Sequence, residues 1–251
     1  MESEEVLWSG KPHPASFLGL YLLYFLPLLS QIISFVLYVS MPEGARSALS
    51  PLAPVLNWAT GLSEPYSFVY TAGALIATLI GVLNWLARVD IKPLIFNLTS
   101  YALTELLRFL YPGQVGYATR LFVLGLASVA GTFGVDSYRR SFVYRITARS
   151  AVIKGGFLRK WERVVRKDAV SDIVVVRPLL GYLFGFAHIV PITQSQLGMG
   201  GTYSLGAVIA EKKSVGVLVG GGKHIKEVEA RPWNCIYGVR DFRKAKEAIL
   251  K

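Results

Sequence analysis

The sequence predicts an α+β membrane protein in which about four transmembrane helices precede an antiparallel β domain that ends in a helix. Two long stretches, residues 16–40 and 66–87, hold no charged residue. After residue 140, short alternating segments separated by Gly, Pro and charge clusters replace the apolar runs. The charge changes at the same place. Residues 1–138 hold 6 Lys/Arg and 8 Asp/Glu, whereas residues 139–251 hold 21 and 8. We therefore divide the chain into a membrane domain, 1–138, and a basic β domain, 139–251.

The membrane domain is predicted to contain four helical spans. Crossing a hydrocarbon core of about 30 Å takes about 20 apolar helical residues. The spans are placed at about residues 16–40, 66–87, 93–111 and 117–138. The last has only 15 uncharged residues between Arg120 and Asp136, about 22 Å of helix, so it needs its flanks as well. The rival interpretation takes residues 93–138 as one interfacial helix and one span, which gives three crossings.

Basic clusters at the ends of two spans favour four crossings. Arg88 and Lys92 follow the second span, and Arg139 and Arg140 follow the last. The positive-inside rule places both clusters in the cytoplasm. Two cytoplasmic ends require an even number of crossings between them. We therefore expect a multi-pass protein of the cell membrane with both termini in the cytoplasm. The outward loop, residues 41–65, is expected to rest on the membrane surface.

Four charged residues fall within the weaker spans, and three of them, Glu105, Arg108 and Arg120, lie toward the turn at Pro112. Glu105 could pair with Arg108 or Arg120, and ionisable groups at membrane depth are expensive and often functional. We favour the alternative that their side chains snorkel to the membrane interface, because they lie close to the turn at Pro112. The spans offer few other polar groups, and this weighs against a transport function.

The β domain is predicted to begin with a hairpin formed by residues 142–147 and 151–154. Further strands are expected at 157–165, 173–176, 187–192, 203–210 and 215–219, with residues 211–213 as a tight connection. The final segment, "DFRKAKEAILK", places Phe242, Ala245 and Ile249 on one helix face behind Asp241 as N-cap. This pattern indicates a barrel or sandwich closed by a helix. At about 110 residues, an ordinary domain size, it is expected to fold alone.

The β domain resembles the prokaryotic membrane-anchored pleckstrin-homology-like (PH-like) domain family. The resemblance lies in "YRITARSAVIKGG" (144–156), "SDIVVVRPLLGYLFGFAHIV" (171–190) and "IYGVRDFRKAKEAIL" (236–250), and the opening "EEVLWSGKPHP" is similar to the start of such proteins. Tyr144, Thr147, Arg149 and Gly155 fit the family pattern. Residues 192–230 resemble it poorly, and Gly185 is followed by Phe186 and Ala187 where the family usually has Gly-x-Gly. The resemblance implies a seven-stranded barrel with a C-terminal helix and no enzymatic activity.

The sequence contains no motif that indicates catalysis, a cofactor or a metal. His13, His188 and His224 lie far apart, without Cys or acidic partners at ligand spacing. The stretch "VLVGGGKHI" lacks the first Gly and the Ser/Thr of a phosphate-binding loop, and a glycine-rich connection explains it better. Cys235 is expected to be a small buried apolar residue. We expect a protein that is not an enzyme and that binds neither cofactor nor metal.

A cluster of cations is the main candidate site. Seven of them occur within 19 residues, opposed only by Glu162: Arg149, Lys154, Arg159, Lys160, Arg163, Arg166 and Lys167. Juxtamembrane cations near an anionic leaflet each contribute on the order of 1 kcal/mol of membrane binding. They could bind anionic lipid headgroups, or they could be a solvated rim that only obeys the positive-inside rule. The alternation of side chains along a strand would spread them over both sides, which favours diffuse electrostatic binding over one headgroup pocket.

These observations predict a non-enzymatic integral membrane protein that presents a basic PH-like domain at the cytoplasmic face. The expected partners are anionic membrane lipids or another protein. The alternative is a component or regulator of a membrane transport or export system. Nucleic acid is not expected, because we expect no exposed aromatic side chain interleaved with the basic run apart from Trp161.

Overall fold

The structure, a computed structural model, describes residues 5–88, 90–157, 159–193, 199–204, 223–228 and 230–250. The chain is α+β and divides into two compact units. A helical unit comprises Phe17–Ser137, and a β unit comprises Met1–Ser16 together with Tyr138–Lys251. The β unit thus includes the N-terminal segment, which the sequence analysis assigned to the membrane domain.

Six helices begin in the helical unit: α1 Leu18–Ser40, α2 Glu43–Leu49, α3 Ala53–Thr60, α4 Tyr66–Arg88, α5 Lys92–Leu110 and α6 Tyr117–Arg140. In the part of the chain that the structure describes, three segments are long and apolar enough to cross a membrane, namely Pro14–Ser40, Tyr66–Arg88 and Tyr117–Arg140. They correspond to three of the four predicted spans and support a multi-pass membrane protein. The remaining predicted span, at 93–111, is the helix α5, whose apolar pattern is interrupted by Glu105 and Arg108.

Small residues on α4 let the helices of this unit pack closely, as is common within membranes. Gly73 lies against Gln31 of α1, and Gly81 lies against Leu94 of α5. Pro27, inside α1, has no N–H to donate. The next amide, that of Leu28, donates to the Ser128 hydroxyl of α6 at 3.1 Å. Polar groups of neighbouring helices therefore satisfy the backbone around the proline.

The predicted surface loop 41–65 contains two short helices, α2 and α3. Gly61 ends α3 in the left-handed conformation, with φ of 66°, and its N–H donates to the Asn57 carbonyl at 2.7 Å. Such a glycine is a common helix terminator. Leu62 then turns inward and packs in a buried cluster with Leu26 and Leu124. This segment is consequently part of the folded unit.

The β unit contains antiparallel sheets. The first has the order β1-β2-β3-β4, formed by Val6–Gly10, Val143–Thr147, Ser150–Gly155 and Trp161–Arg166. The second has the order β5-β6-β9, formed by Val170–Val176, Ala187–Thr193 and Ile236–Val239. Two more strands, β7 Met199–Ser204 and β8 Lys223–Val228, pair with each other. Two helices, α7 Leu179–Phe184 and α8 Phe242–Leu250, complete the described part. Within it, no sheet closes into the predicted barrel, because no ladder joins the first sheet to the second.

The predicted first hairpin is present as β2 and β3. Tyr144 pairs with Ile153, and Ile146 pairs with Ala151, and all four side chains are buried. At the turn, the Thr147 hydroxyl accepts the Ser150 N–H at 3.1 Å. The alternation of buried and exposed positions therefore sets the register of the hairpin. The predicted strands at 187–192 and 173–176 lie within β6 and β5, whereas that at 215–219 and the connection at 211–213 lie outside the described residues.

The N-terminal strand β1 was not predicted. It pairs antiparallel with β2, so that Trp8 lies opposite Ile146 and Gly10 lies opposite Tyr144. The chain that follows β1 is held in the same unit. The His13 N–H donates to the Gly238 carbonyl at 2.7 Å, and the Tyr237 hydroxyl donates to the Ser16 carbonyl at 3.2 Å.

Candidate functional site

The seven predicted cations all lie on the first sheet or directly beside it. Arg149 lies in the β2–β3 turn, Lys154 in β3, Arg159 and Lys160 in the β3–β4 turn, Arg163 and Arg166 in β4, and Lys167 just after β4. Within β4, Trp161 and Val165 face the interior, and Val165 is buried. Alternation places Arg163 on that side and Arg166 on the other, as expected.

Two of the seven cations are neutralised by nearby carboxylates. The Lys154 ammonium lies 2.9 Å from a Glu162 carboxylate oxygen, and the Arg166 guanidinium lies 2.6 Å from Asp168. These pairs are exposed to solvent, so their contribution to stability is small. Each pair nevertheless reduces the positive potential at its position.

Two further cations bind backbone carbonyls. The Lys167 ammonium donates to the Ala248 carbonyl in the last turn of α8, at 2.6 Å, and the Arg163 guanidinium donates to the Trp233 carbonyl at 3.3 Å. A cation at a helix C-terminus stabilises it, because carbonyl groups there lack backbone donors. Partial burial lowers the pKa of Lys167. Lys167 therefore has a structural role, which its position in a basic run did not indicate.

The β3–β4 turn holds two cations with exposed side chains, Arg159 and Lys160, and Arg149 is exposed in the β2–β3 turn. Gly156 has a φ of 107°, a conformation that favours glycine, and a Cβ there would collide with the Arg159 backbone. The turn exposes Arg159 and Lys160, and 60% of Phe157 is exposed beside them. Neither cation has a carboxylate partner among the described residues. An exposed apolar ring in the same turn as two cations is typical of a surface that meets a membrane interface.

A shallow cavity of about 390 Å³ lies next to this turn. It is lined by Ser141, Lys154, Gly155, Gly156, Lys160, Trp161 and Glu162. Trp161 packs edge-to-face on the buried Phe142 ring, with 6.1 Å between ring centroids. Ammonium and hydroxyl groups around a glycine backbone can bind a phosphate or carboxylate oxygen. The carboxylate of Glu162 is also part of the lining and would repel an anion, but it is paired with Lys154.

Two reactive side chains of the β unit, His188 and Cys235, are buried in inert settings. Burial lowers the pKa of His188 to about 4, and its Nδ1 accepts the Gly238 N–H at 2.9 Å. Burial raises the pKa of Cys235, and its thiol donates to the Arg231 carbonyl. Both residues are thus neutral parts of the core near pH 7. Among the described residues, no three His, Cys, Asp or Glu side chains are grouped as metal ligands.

The helical unit contains a buried charge that the sequence analysis had placed at the membrane interface. Arg120 is 0% exposed, so its side chain does not snorkel. Its guanidinium lies 2.7 Å from Glu105, donates to the Thr60 carbonyl at 2.5 Å, and lies 4.6 Å from the centre of the Tyr70 ring. Arg108 also contacts Glu105, at 3.3 Å. An ion pair with a cation–π contact therefore lies inside the helical unit, beside the end of α3.

Further polar groups extend from this ion pair through the helical unit. The Gln31 amide and the Ser30 hydroxyl both lie 2.9 Å from the Tyr101 hydroxyl, and the Tyr70 hydroxyl lies 2.5 Å from Thr104. All of these residues are buried. The expectation of few intramembrane polar groups is therefore wrong. The signal was present in the sequence, since Ser30, Gln31 and Ser34 share one helix face.

Comparison with known proteins assigns neither a family nor a function to this chain. No family model, curated protein or solved structure matches this chain.

Proposed function

We propose that this protein is a non-enzymatic membrane protein in which helices anchor a PH-like β unit that docks on anionic lipid headgroups. The observation that carries the proposal is the β3–β4 turn, where exposed Phe157 lies beside Arg159 and Lys160, cations without a carboxylate partner in the described part. We place both termini and the β unit in the cytoplasm of a cell-membrane protein. A second protein is the other expected partner of the same surface.

Four crossings are part of this proposal, and strand pairing supports an even number. β1 precedes the first membrane helix and β2 follows the last, yet they are neighbours in one sheet. A sheet cannot pair through the hydrocarbon core, so both ends of the helical segment leave from the same side of the bilayer. Three crossings would contradict this pairing.

We assign the fourth crossing to α5. Its 19 residues extend about 28 Å, close to the thickness of the hydrocarbon core. Glu105 faces Arg120 and Arg108, so the charges inside α5 are paired, and Lys92 lies at its first position. A cysteine at Gln114, in the turn between α5 and α6, should react with an impermeant reagent outside intact cells, and one at Asp90 should not. Labelling of Gln114→Cys only after permeabilisation would eliminate this topology.

Electrostatic attraction and apolar insertion would act together at the turn. Cations near an anionic leaflet each contribute on the order of 1 kcal/mol, and the attraction declines over about one Debye length, about 8 Å at physiological salt. The chain connections to the helices keep the β unit at high effective concentration near the bilayer. Weak binding per residue is then sufficient. The cations lie on an open turn beside a shallow cavity, and this favours charge-dependent binding over recognition of one headgroup.

The test uses the full chain reconstituted into vesicles, with a nitroxide label at Phe157→Cys. The natural thiol, Cys235, is buried and should not react. The label should become less accessible to a water-soluble quencher as anionic lipid replaces phosphatidylcholine, and high salt should reverse this. Arg159→Glu with Lys160→Glu should abolish the effect. A label at Glu247→Cys, exposed on α8, is the control. If the label at 157 stays accessible on strongly anionic vesicles at low salt, a protein partner replaces the lipid in this proposal.

A second candidate function is transport, and the buried polar network of the helical unit favours it. Ionisable groups inside membranes often mark ion or proton paths. Arg120 and Glu105 lie close to hydroxyl groups that could pass protons, including those of Tyr70 and Thr104. Vesicles containing the protein should then acidify faster than empty vesicles under an imposed pH gradient, and Glu105→Gln should remove the difference. Equal rates for loaded and empty vesicles would exclude proton transport.

A further inference from the structure

Helix α7 presents an exposed apolar surface on the β unit. Its sequence is LLGYLF, and four of its six residues are exposed: Leu179 (79%), Tyr182 (66%), Leu183 (74%) and Phe184 (44%). Leu179, Tyr182 and Leu183 share one helix face at spacings of three and four residues. Single exposed apolar side chains are ordinary, but a contiguous group marks a surface that meets lipid or protein.

Backbone contacts hold α7 in place. Gly181 is buried, and its carbonyl accepts the Phe186 N–H at 3.1 Å and the Arg177 side chain at 3.3 Å. A side chain at Gly181 would collide with the Phe186 backbone. Gly185, with φ of 71°, then ends the helix and returns the chain to β6. The apolar side chains are therefore displayed on a fixed element.

The position of α7 within the β unit indicates what it meets. The Phe184 ring lies 6.4 Å from the His13 ring. His13 is bonded to Gly238, and three residues later Ser16 is bonded to Tyr237. Ser16 is the last residue of the β unit before the first apolar helix. Three residues reach at most about 11 Å. The end of α7 thus lies close to the point at which the chain leaves for the membrane.

The side chains around α7 match the chemistry of a membrane interface. The Arg177 guanidinium lies 4.5 Å from the centre of the Tyr182 ring, at one end of the apolar surface. Tyrosine and arginine are suited to the headgroup level, and leucine and phenylalanine to the acyl boundary below it. Polar groups at one end of the surface and apolar side chains beyond them match the change from headgroups to acyl chains at the surface of a bilayer.

We infer that α7 is an interfacial anchor, which inserts Leu179, Tyr182 and Leu183 into the lipid at the surface of the bilayer. The occupant of this surface is the acyl boundary of the lipid itself. The inference is independent of the proposed role of the β3–β4 turn. Burial of apolar side chains needs no anionic lipid and is resistant to salt, whereas the turn depends on both.

The test places a nitroxide at Leu183→Cys in the full chain, reconstituted into vesicles of phosphatidylcholine alone. Accessibility to oxygen, which concentrates in lipid, is compared with accessibility to a water-soluble nickel chelate. We expect the nickel accessibility at 183 to be several-fold lower than at the control position Glu247→Cys, with higher oxygen accessibility. High salt should change neither value. A second label, at Leu179→Cys, should give the same result. Agreement between the two labels would show that the result at 183 is not caused by a local disturbance in one variant.

Two outcomes would overturn the inference. If the labels at 183 and 179 are as open to the nickel chelate as the label at 247, then α7 lies in water. If both reagents are excluded, then α7 is packed against protein, for example a second copy of this chain. The neutral vesicles separate this result from the lipid-docking proposal, because failure of Phe157→Cys to respond to anionic lipid leaves the measurement at 183 unaffected.

Discussion

Replacing Glu105 by leucine should destabilise the helical unit more than replacing Arg120. Glu105→Leu leaves the fully buried Arg120 without a carboxylate, and the remaining Thr60 carbonyl and Tyr70 ring compensate only part of its charge. Arg120→Leu removes the buried charge and leaves Glu105 paired with Arg108. The double variant, with both leucines, should therefore be more stable than Glu105→Leu alone.

The magnitude follows from the geometry of the pair. Two unit charges about 4 Å apart attract by about 4 kcal/mol at an effective dielectric constant of 20. The side chain of Glu105 is 32% exposed, which reduces this value. Removal of one partner of a buried pair costs about 3–5 kcal/mol, and we expect the low end, about 3 kcal/mol. At about 2–4 °C per kcal/mol for a chain of this size, the apparent melting temperature should fall by about 6–12 °C.

The assay is thermal unfolding of the full chain in detergent, for four variants measured side by side. The control is Glu43→Leu, an exposed carboxylate on α2 with no described partner, which should shift the melting temperature by less than about 2 °C. The interaction energy from the double-mutant cycle should be favourable by more than about 1 kcal/mol. If Glu105→Leu melts like Glu43→Leu, then Arg120 is hydrated and the buried ion pair described here is wrong.

Three further predictions concern the β unit. Lys167→Met should lower the free energy of unfolding of the β unit by about 1 kcal/mol in a denaturant titration, because the Ala248 carbonyl loses its cation. If the variant is as stable as the natural protein, Lys167 does not stabilise the C-terminus of α8. Acidification from about pH 6.5 to about pH 4 should remove up to about 3 kcal/mol, because the unfolded state binds a proton at His188 that the folded state excludes. His188→Gln should flatten that dependence in unfolding curves measured at several pH values. Residues 139–251 expressed alone should unfold more readily than the same residues joined by a linker to residues 5–16, because β2 loses its β1 partner, and identical curves would contradict a structural role for β1.

The parts of the fold that follow from periodicity could be predicted from the sequence. Long uncharged runs predict α1 and α4, and the alternation around Tyr144 and Ile153 predicts the first hairpin. The strand β1 could not be found in this way, because five residues carry too little periodic signal and its partner is more than 130 residues away. Pairing between distant segments depends on tertiary contacts that local patterns do not record.

The candidate site was predictable in composition but not in detail. The seven cations are adjacent in sequence, yet the carbonyl that Lys167 binds belongs to α8, 81 residues later. The exposure of Phe157 and of α7 depends on how the strands end, which residue spacing does not reveal. The burial of Arg120 depends on α3 and α5 enclosing it, so a rule based on distance from Pro112 placed it incorrectly at the interface.

The pairing of β1 with β2 also sets the order in which the parts of this protein can fold during synthesis. Val6–Gly10 leaves the ribosome first, but its partner Val143–Thr147 follows only after the whole helical segment has been synthesised. At about 5–20 residues per second, the first strand waits for roughly 7 to 27 s. During that time the helices can enter the membrane, while the Trp8 side chain has no sheet to pack on. When β1 and β2 pair, they join the two ends of a helical segment that is already inserted in the membrane. The β unit can therefore be completed only if both ends of that segment have emerged on the same side.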